Sequence, residues 1–413
     1  MSNDDLINKS KVFCILPWIH MHMLPNAKVL PCCVWPYDKP LSDASVSSLS
    51  EIWNSDGYKT LRLDMLKGQS TENCRHCYEV DGARGMSTRV SKNQRFAHLL
   101  DQAIASTKPD GSVEKINMAY FDVRFSNICN FKCRGCSVEL SSAWYNDHEK
   151  LYNFKSDKPK YFSIDSYPNI WEELMTYIDT VEVAYFAGGE PLIMDDHYRV
   201  LDELIKRKKT AVTLSYNSNL SKIKYKDKNI CDYWNQFQYV YMGVSIDDIE
   251  KRGEYFRHGM NWDKTLENIQ YIKEHSPHVK FNVNCTINAM NVLYVTEIHQ
   301  RLIEEKIIEP HEFTLNLLID PEELRTRILP SELKGIATSK IKRYMLDYLS
   351  FGWSQHSILH MNSVFVSILQ YMNQEDESNL IPQFIDRTKK LDMIRGESYK
   401  DIFPELAKYI PID

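Results

Sequence analysis

Between about residues 115 and 320 the chain alternates short apolar runs with longer stretches of helical spacing. Six runs read as strands, at 117–125, 181–187, 211–216, 239–246, 280–287 and 312–319. Helical patterns lie between them, at 195–208, 263–275 and 291–305 among others. Such alternation implies a parallel sheet with crossover helices. Six units are too few for a closed eight-fold barrel of about 250 residues. The pattern therefore predicts an α/β fold with a partial (β/α)6 TIM-like barrel. Its chemistry should gather at the C-terminal ends of the strands.

The flanks read differently. The N-terminal part is rich in Pro, Cys and Trp and has little long periodicity. It predicts a small Cys-rich domain at 1–100, with Trp18, Trp35, Trp53 and Tyr78 as its core. Lys108-Pro-Asp-Gly111 marks a linker turn. The barrel follows at 113–320, and residues 321–413 form a helical C-terminal extension. In that extension Asp320-Pro-Glu-Glu-Leu324 reads as a helix start, and Trp353, Phe365 and Tyr371 as core rather than substrate wall.

Composition narrows the class. Of 413 residues 43% are apolar and 26% charged, an ordinary globular balance. The net charge of −6 gives no electrostatic case for nucleic acid or an anionic membrane as partner. No apolar run approaches the roughly 18–20 residues that span a bilayer. Met1-Ser-Asn-Asp-Asp is polar and acidic, unlike a secretory signal, so a cytoplasmic location is expected.

The ten cysteines change the picture more. In a reducing compartment clustered cysteines more often bind metal than form disulfides. Cys231 and Cys285 stand alone and read as small packed side chains. Directly after the first strand comes Cys129-Asn-Phe-Lys-Cys133-Arg-Gly-Cys136. Soft thiolates select iron–sulfur clusters, zinc or Cu(I). Structural zinc wants four protein ligands, whereas three on one loop leave a position open. Cys14, Cys32, Cys33, Cys74 and Cys77 form a second group that can close a four-ligand site. By spacing alone zinc and iron–sulfur are nearly equal there.

Other strand ends carry polar residues. The second ends in Gly188-Gly189-Glu190-Pro191, where glycines allow close backbone approach and a carboxylate can accept from an ammonium. The third ends in Asn217-Ser-Asn219, placed for a ribose or substrate, or for an Asn-based turn. The fourth ends in Ser245-Ile-Asp247, with Arg257 beyond it. An Arg fork suits a carboxylate, although a solvated helix-surface charge is the alternative.

Taken together, these motifs resemble the radical SAM superfamily. The resemblance implies that Cys129, Cys133 and Cys136 hold a [4Fe–4S] cluster whose fourth iron chelates S-adenosylmethionine (AdoMet). Reductive cleavage would then yield a 5′-deoxyadenosyl radical. It also implies cofactor contacts from Gly188, Gly189, Glu190 and Pro191 (methionine amino group), Asn217, Ser245 and Asp247 (ribose or methionyl part), Arg257 (carboxylate) and Ile287 (adenine). The family commonly has a bulky residue before the third cysteine; here it is Gly135, which puts an adenine contact there in doubt.

The N-terminal group resembles SPASM/twitch auxiliary-cluster domains, through Cys14 before Pro17, Pro31-Cys32, Ile52-Trp53-Asn-Ser and Cys74-Arg-His-Cys77. In most relatives that domain follows the barrel; here it precedes it. The resemblance implies an auxiliary [4Fe–4S] cluster on Cys14, Cys32, Cys74 and Cys77, with Cys33 as spare. It further implies an electron donor such as flavodoxin or ferredoxin and a peptide or protein residue as substrate, with a sugar or small metabolite as alternative. A non-catalytic electron carrier or sensor, or a zinc-stabilised binding protein, would explain the cysteines but not Gly188–Pro191 or the Ser245–Arg257 arrangement.

Overall fold

The computed structural model describes residues 10–82, 87–155, 160–167 and 169–412. The polar start at Met1, and with it the reading against a secretory signal, lies outside the described residues.

Six strands form a parallel sheet in chain order: β4 (Tyr120–Val123), β5 (Val183–Phe186), β6 (Thr213–Ser218), β9 (Tyr239–Ser245), β10 (Lys280–Ile287) and β11 (Phe313–Leu317). The interposed β7 (Lys224–Tyr225) and β8 (Lys228–Asn229) make a separate two-stranded ribbon. All six predicted runs became strands of this sheet. It is an open, partial barrel, because β11 and β4 do not pair.

Side-chain alternation sorts the two faces. Along β10, Phe281, Val283, Cys285 and Ile287 are buried in the apolar core, while Asn282, Asn284 and Thr286 face inward and stay half-buried. Helices Asp195–Lys206, Trp262–His275 and Val295–Glu304 cover the apolar face. Asn261 starts the second of these by accepting from the Lys264 amide.

The N-terminal module does not stand apart. Its strands β1 (His22–Met23), β2 (Lys28–Leu30) and β3 (Ser42–Asp43) pair antiparallel with one another, and β1 pairs parallel with β4. The order of the whole sheet is β11-β10-β9-β6-β5-β4-β1-β2-β3. Ser48 and Glu51 close a capping box on helix Leu49–Trp53. Trp18, Trp35 and Trp53 are buried as expected, while Tyr78 is half-buried. One apolar cluster runs from Phe13 through Phe121 and Val244 to Phe365 and Ile410.

Two expectations need correction. Residues 108–112 are a packed turn and not a free linker: Asn54 bonds Val113 through both amide atoms, and Arg62 donates to the Gly111 carbonyl. The stretch after Pro321 makes only a short 3-10 turn, Glu322–Leu324. The first long C-terminal helix starts later, at Ser331–Asp347, and is followed by Gln355–Gln374 and Ile381–Arg395. Phe365 is core, and neither Trp353 nor Tyr371 lines the cavity described below. Among the described residues no helix is long and apolar enough to cross a membrane.

Candidate functional site

The loop after β4 is tied down from three sides. Within it the Cys136 amide donates to the Cys133 carbonyl, and Ser141 Oγ donates to the Phe131 carbonyl. From the segment after β9, the carbonyls of His258 and Phe256 accept from the Lys132 and Arg134 amides. From helix Tyr145–Tyr152, Asp147 pairs with Lys132 at 2.9 Å. The C-terminal region supplies the third hold. Arg134 donates to Asp392 and Glu397, each at 2.5 Å, and Arg387 donates to the Arg134 carbonyl at 3.1 Å. Nothing in the sequence signalled this contact between the cysteine loop and helix Ile381–Arg395.

The loop borders a cavity of about 310 Å³ at the C-terminal ends of the strands. Cys129, Cys133 and Cys136 line it together with Gly188, Gly189, Glu190, Asn217, Ser245, Asp247 and Arg257. Both glycines have positive φ, 77° and 57°. A Cβ on Gly189 would stand 2.4 Å from the Ile128 carbonyl oxygen, so the turn can lie against the cysteine loop only as glycine.

Glu190 is buried and held by three hydrogen bonds. Its carboxylate accepts from the Leu192 amide (3.1 Å), Ser218 Oγ (2.6 Å) and the Asn219 amide (2.7 Å). Burial nonetheless pushes it up to about 6 against those hydrogen bonds. Asp247 Oδ2 lies 2.9 Å from Arg257 Nε, and Asp247 Oδ1 accepts from the Thr286 amide. Burial would lower Arg257, but Asp247 outweighs it and holds the guanidinium charged. Arg257 Nη1 reaches Cys133 Sγ at 3.9 Å, so it is a buried partner of the loop and not a solvated helix-surface charge. Asn217 accepts from Asn284 across the inner sheet face at 2.5 Å.

Two predicted residues fall outside the cavity lining. Pro191 starts a buried 3-10 turn behind Glu190. Ile287 is fully buried on the helix-facing side of β10, and its neighbour Thr286 lines the cavity instead. The reason is the two-residue period of a strand, which sends neighbours to opposite faces. Sequence reading missed Phe256 and Leu318, which supply the apolar wall next to Gly135.

Burial raises all three loop thiols, Cys136 to about 12, with Arg257 opposing at Cys133. Three half-buried thiols on one cavity wall, with few cations to stabilise them as thiolates, fit a metal centre that supplies the missing positive charge.

The second group behaves likewise. Cys14, Cys32, Cys74 and Cys77 line one small apolar cavity with Pro17, Pro31 and Trp35. Burial pushes Cys14 up to about 12 and Cys74 to about 11. Arg89 and Asn93 fix the Cys14 turn by donating to the Phe13 carbonyl. This donor set also fits a metal centre. Cys33 lies outside this cavity and is influenced by Asp122 and Arg124 instead, because consecutive residues point apart. None of the ten cysteines is bridged.

The radical SAM superfamily model matches residues 123–305, and that of the SPASM iron–sulfur cluster-binding domain matches 14–78. No curated protein sequence matches the chain. Among solved structures, anSMEcpe with bound AdoMet aligns at 16% identity and a TM-score of 0.38, over 55% of this chain and 57% of that one. SuiB of Streptococcus suis bound to S-adenosylmethionine aligns at 14% identity and 0.37, over 73% and 62%. The chain thus spans little more than half the length of the first of these. Residues 123–305 thus form a radical SAM superfamily domain, preceded at 14–78 by a SPASM iron–sulfur cluster-binding domain.

Proposed function

We propose that this chain binds S-adenosylmethionine beside a [4Fe–4S] cluster, cleaves it reductively and uses the radical to abstract hydrogen from a substrate. The observation that carries the reading is that one cavity gathers the three loop cysteines, Gly188 to Glu190, and Arg257. When bound, cluster and cofactor supply the 5′-deoxyadenosyl radical. The chain's own residues bind and orient. Cys129, Cys133 and Cys136 hold iron, Glu190 accepts from the cofactor's ammonium, and Arg257 presents its fork to the carboxylate. Asn217, Ser245 and Asp247 face the ribose or methionyl part. Phe256 and Leu318 take the apolar role first given to Ile287.

By role the chain divides into an auxiliary-cluster module at 1–100, the catalytic barrel at 113–320 and a C-terminal region at 321–413. Cys14, Cys32, Cys74 and Cys77 hold the auxiliary [4Fe–4S] cluster. The SPASM domain supports a peptide or protein residue as substrate, with a sugar or small metabolite as the alternative. Ten unbridged thiols suit the cytoplasm, where flavodoxin or ferredoxin would serve as electron donor.

The test is 5′-deoxyadenosine formation by anaerobically reconstituted, reduced protein supplied with AdoMet. Formation is expected, and no cleavage with intact clusters would refute the reading. Cys129→Ala, Cys133→Ala or Cys136→Ala should abolish cleavage while leaving the N-terminal iron in place. About eight irons per chain, the content of two four-iron clusters, are expected; zinc in their place would favour a binding protein.

A further inference from the structure

One wall of the cavity is left unused once the cofactor is assigned. On the β4–β5 side it is formed by Arg124 and Tyr185, with Tyr37 reaching in from the N-terminal module. With Glu190, Asp247 and Arg257 given to the cofactor, Arg124 is the one basic or acidic side chain left among the described residues lining the cavity.

Arg124 is preset rather than loose. Its Nε lies 2.9 Å from Asp122 Oδ1, and Nη2 donates to Asp122 Oδ2 at 3.3 Å. Its stem packs on Gly188, where a Cβ would come within 2.7 Å of Arg124 Cδ. The guanidinium sits over the Tyr185 ring at 5.1 Å. Asp122 is backed in turn by the fully buried His22, with Nδ1 at 3.2 Å, and His22 Nε2 has no hydrogen-bond partner. The β1–β4 register puts these two residues opposite each other.

We propose that Arg124, flanked by Tyr37 and Tyr185, binds an oxyanion of the substrate, carboxylate or phosphate, and so turns the substrate's reacting end towards the cysteine loop. This rests on the cofactor reading, which accounts for the remaining charged groups of the cavity. Asp122 holds the guanidinium at one edge, through the Nη2 hydrogen bond and the Nε–Oδ1 ion-pair contact, and the planar fork presents its remaining N–H groups in fixed geometry.

Local charge agrees. Burial would raise Asp122, but Arg124 and His22 outweigh it and keep the carboxylate ionised. Burial pushes His20 down to about 3, leaving it neutral. The Lys92 ammonium lies over the Tyr120 ring at 3.9 Å and is attracted by Asp122. Two cations thus face one carboxylate. His20, His22 and Asp122 lie close enough together to hold a metal ion. A divalent ion there would have to sit beside both cations, so the cluster reads as a support for Arg124.

The test uses full-length protein with both clusters reconstituted and reduced and S-adenosylhomocysteine in place of AdoMet, so that no reductive cleavage consumes the complex. Line broadening of phosphorus-31 in inorganic phosphate, and of carbon-13 in acetate, reports approach to the paramagnetic cluster. At least one probe should broaden saturably, and which one does tells phosphate from carboxylate. Arg124→Gln should weaken its binding about tenfold or more, as expected for losing a charge-assisted pair. Tyr37→Ala, at a half-exposed site, should weaken it several-fold. No saturable broadening, or equal broadening in both variants, overturns the proposal. So does stoichiometric zinc that disappears in His22→Ala, since Asp122 would then be a metal ligand. AdoMet binding by the unmodified protein is measured separately, and its absence would sink the cofactor reading instead.

Discussion

A β-carbon at position 135 would stand 2.9 Å from Leu318 Cδ1 and 3.3 Å from Phe256 Cζ. The space a bulky residue would fill before the third cysteine is therefore already taken by Leu318, just after β11, and by Phe256, at the end of helix Glu250–Phe256. Gly135→Phe is predicted to overpack this wall, at a cost of about 1–3 kcal/mol, and to weaken AdoMet binding. Thermal unfolding and a cofactor titration check both. Glu190 makes a second prediction at this scale. Its pKa of about 6 means that it takes up a proton as pH falls through that value and ceases to accept from an ammonium. AdoMet affinity should fall below about pH 6 and level off above it. Glu190→Gln should bind weakly and without that dependence, and a flat profile in the unmodified protein would count against the role. These residues differ in how well the sequence showed them. Glu190 was legible because it ends a strand in a motif with its own turn chemistry. Ile287 was misplaced although its strand was bounded correctly, because the apolar positions of β10 face the helices and the half-buried polar ones, Thr286 among them, face inward. Phe256 carried no signal beyond standing next to Arg257.

At the scale of elements, helix Ile381–Arg395 is the unexpected participant. Arg134 lies between Cys133 and Cys136 and is itself almost fully buried, and its acidic partners are 258 and 263 residues away. Glu397 also pairs with His258 at 2.6 Å. Burial would raise the Glu397 carboxyl, but His258 and Arg134 outweigh it and hold it low. Breaking a buried pair by removing one partner costs about 3–5 kcal/mol, because the other charge stays behind. Glu397→Gln combined with Asp392→Asn is thus predicted to lower the unfolding temperature. It should also loosen iron at the barrel site, by several-fold in the rate of loss to a chelator, while the SPASM cysteines keep theirs. Equal loss at both sites would mean general unfolding. No local pattern could have shown this hold. The helix reads as an ordinary amphipathic element, and ion pairs between distant segments leave no periodicity to detect.

For the whole molecule, strand order and the sites of both cysteine groups were legible, because each strand has its own apolar run and each group its own spacing. How the two modules join was not, since a two-residue strand such as β1 is too short to leave a period. One apolar cluster spans both. Calorimetry of the metal-loaded protein should therefore show one cooperative transition. Two separated transitions would mean that the modules are energetically independent.

The pairing of β1 with β4 also bears on how the molecule behaves among its neighbours. An open parallel sheet ends in a row of unpaired backbone groups, which can template the strand of another chain. Without the N-terminal module, β4 would be such a template, beside the metal loop. With it, the sheet continues through two turns of antiparallel ribbon and runs out in β3, only two residues long and carrying Asp43 paired with Lys28 at 2.6 Å. So brief and charged a margin offers little to a passing strand. The module that brings the second set of cysteines thus also covers the β4 edge of the barrel sheet.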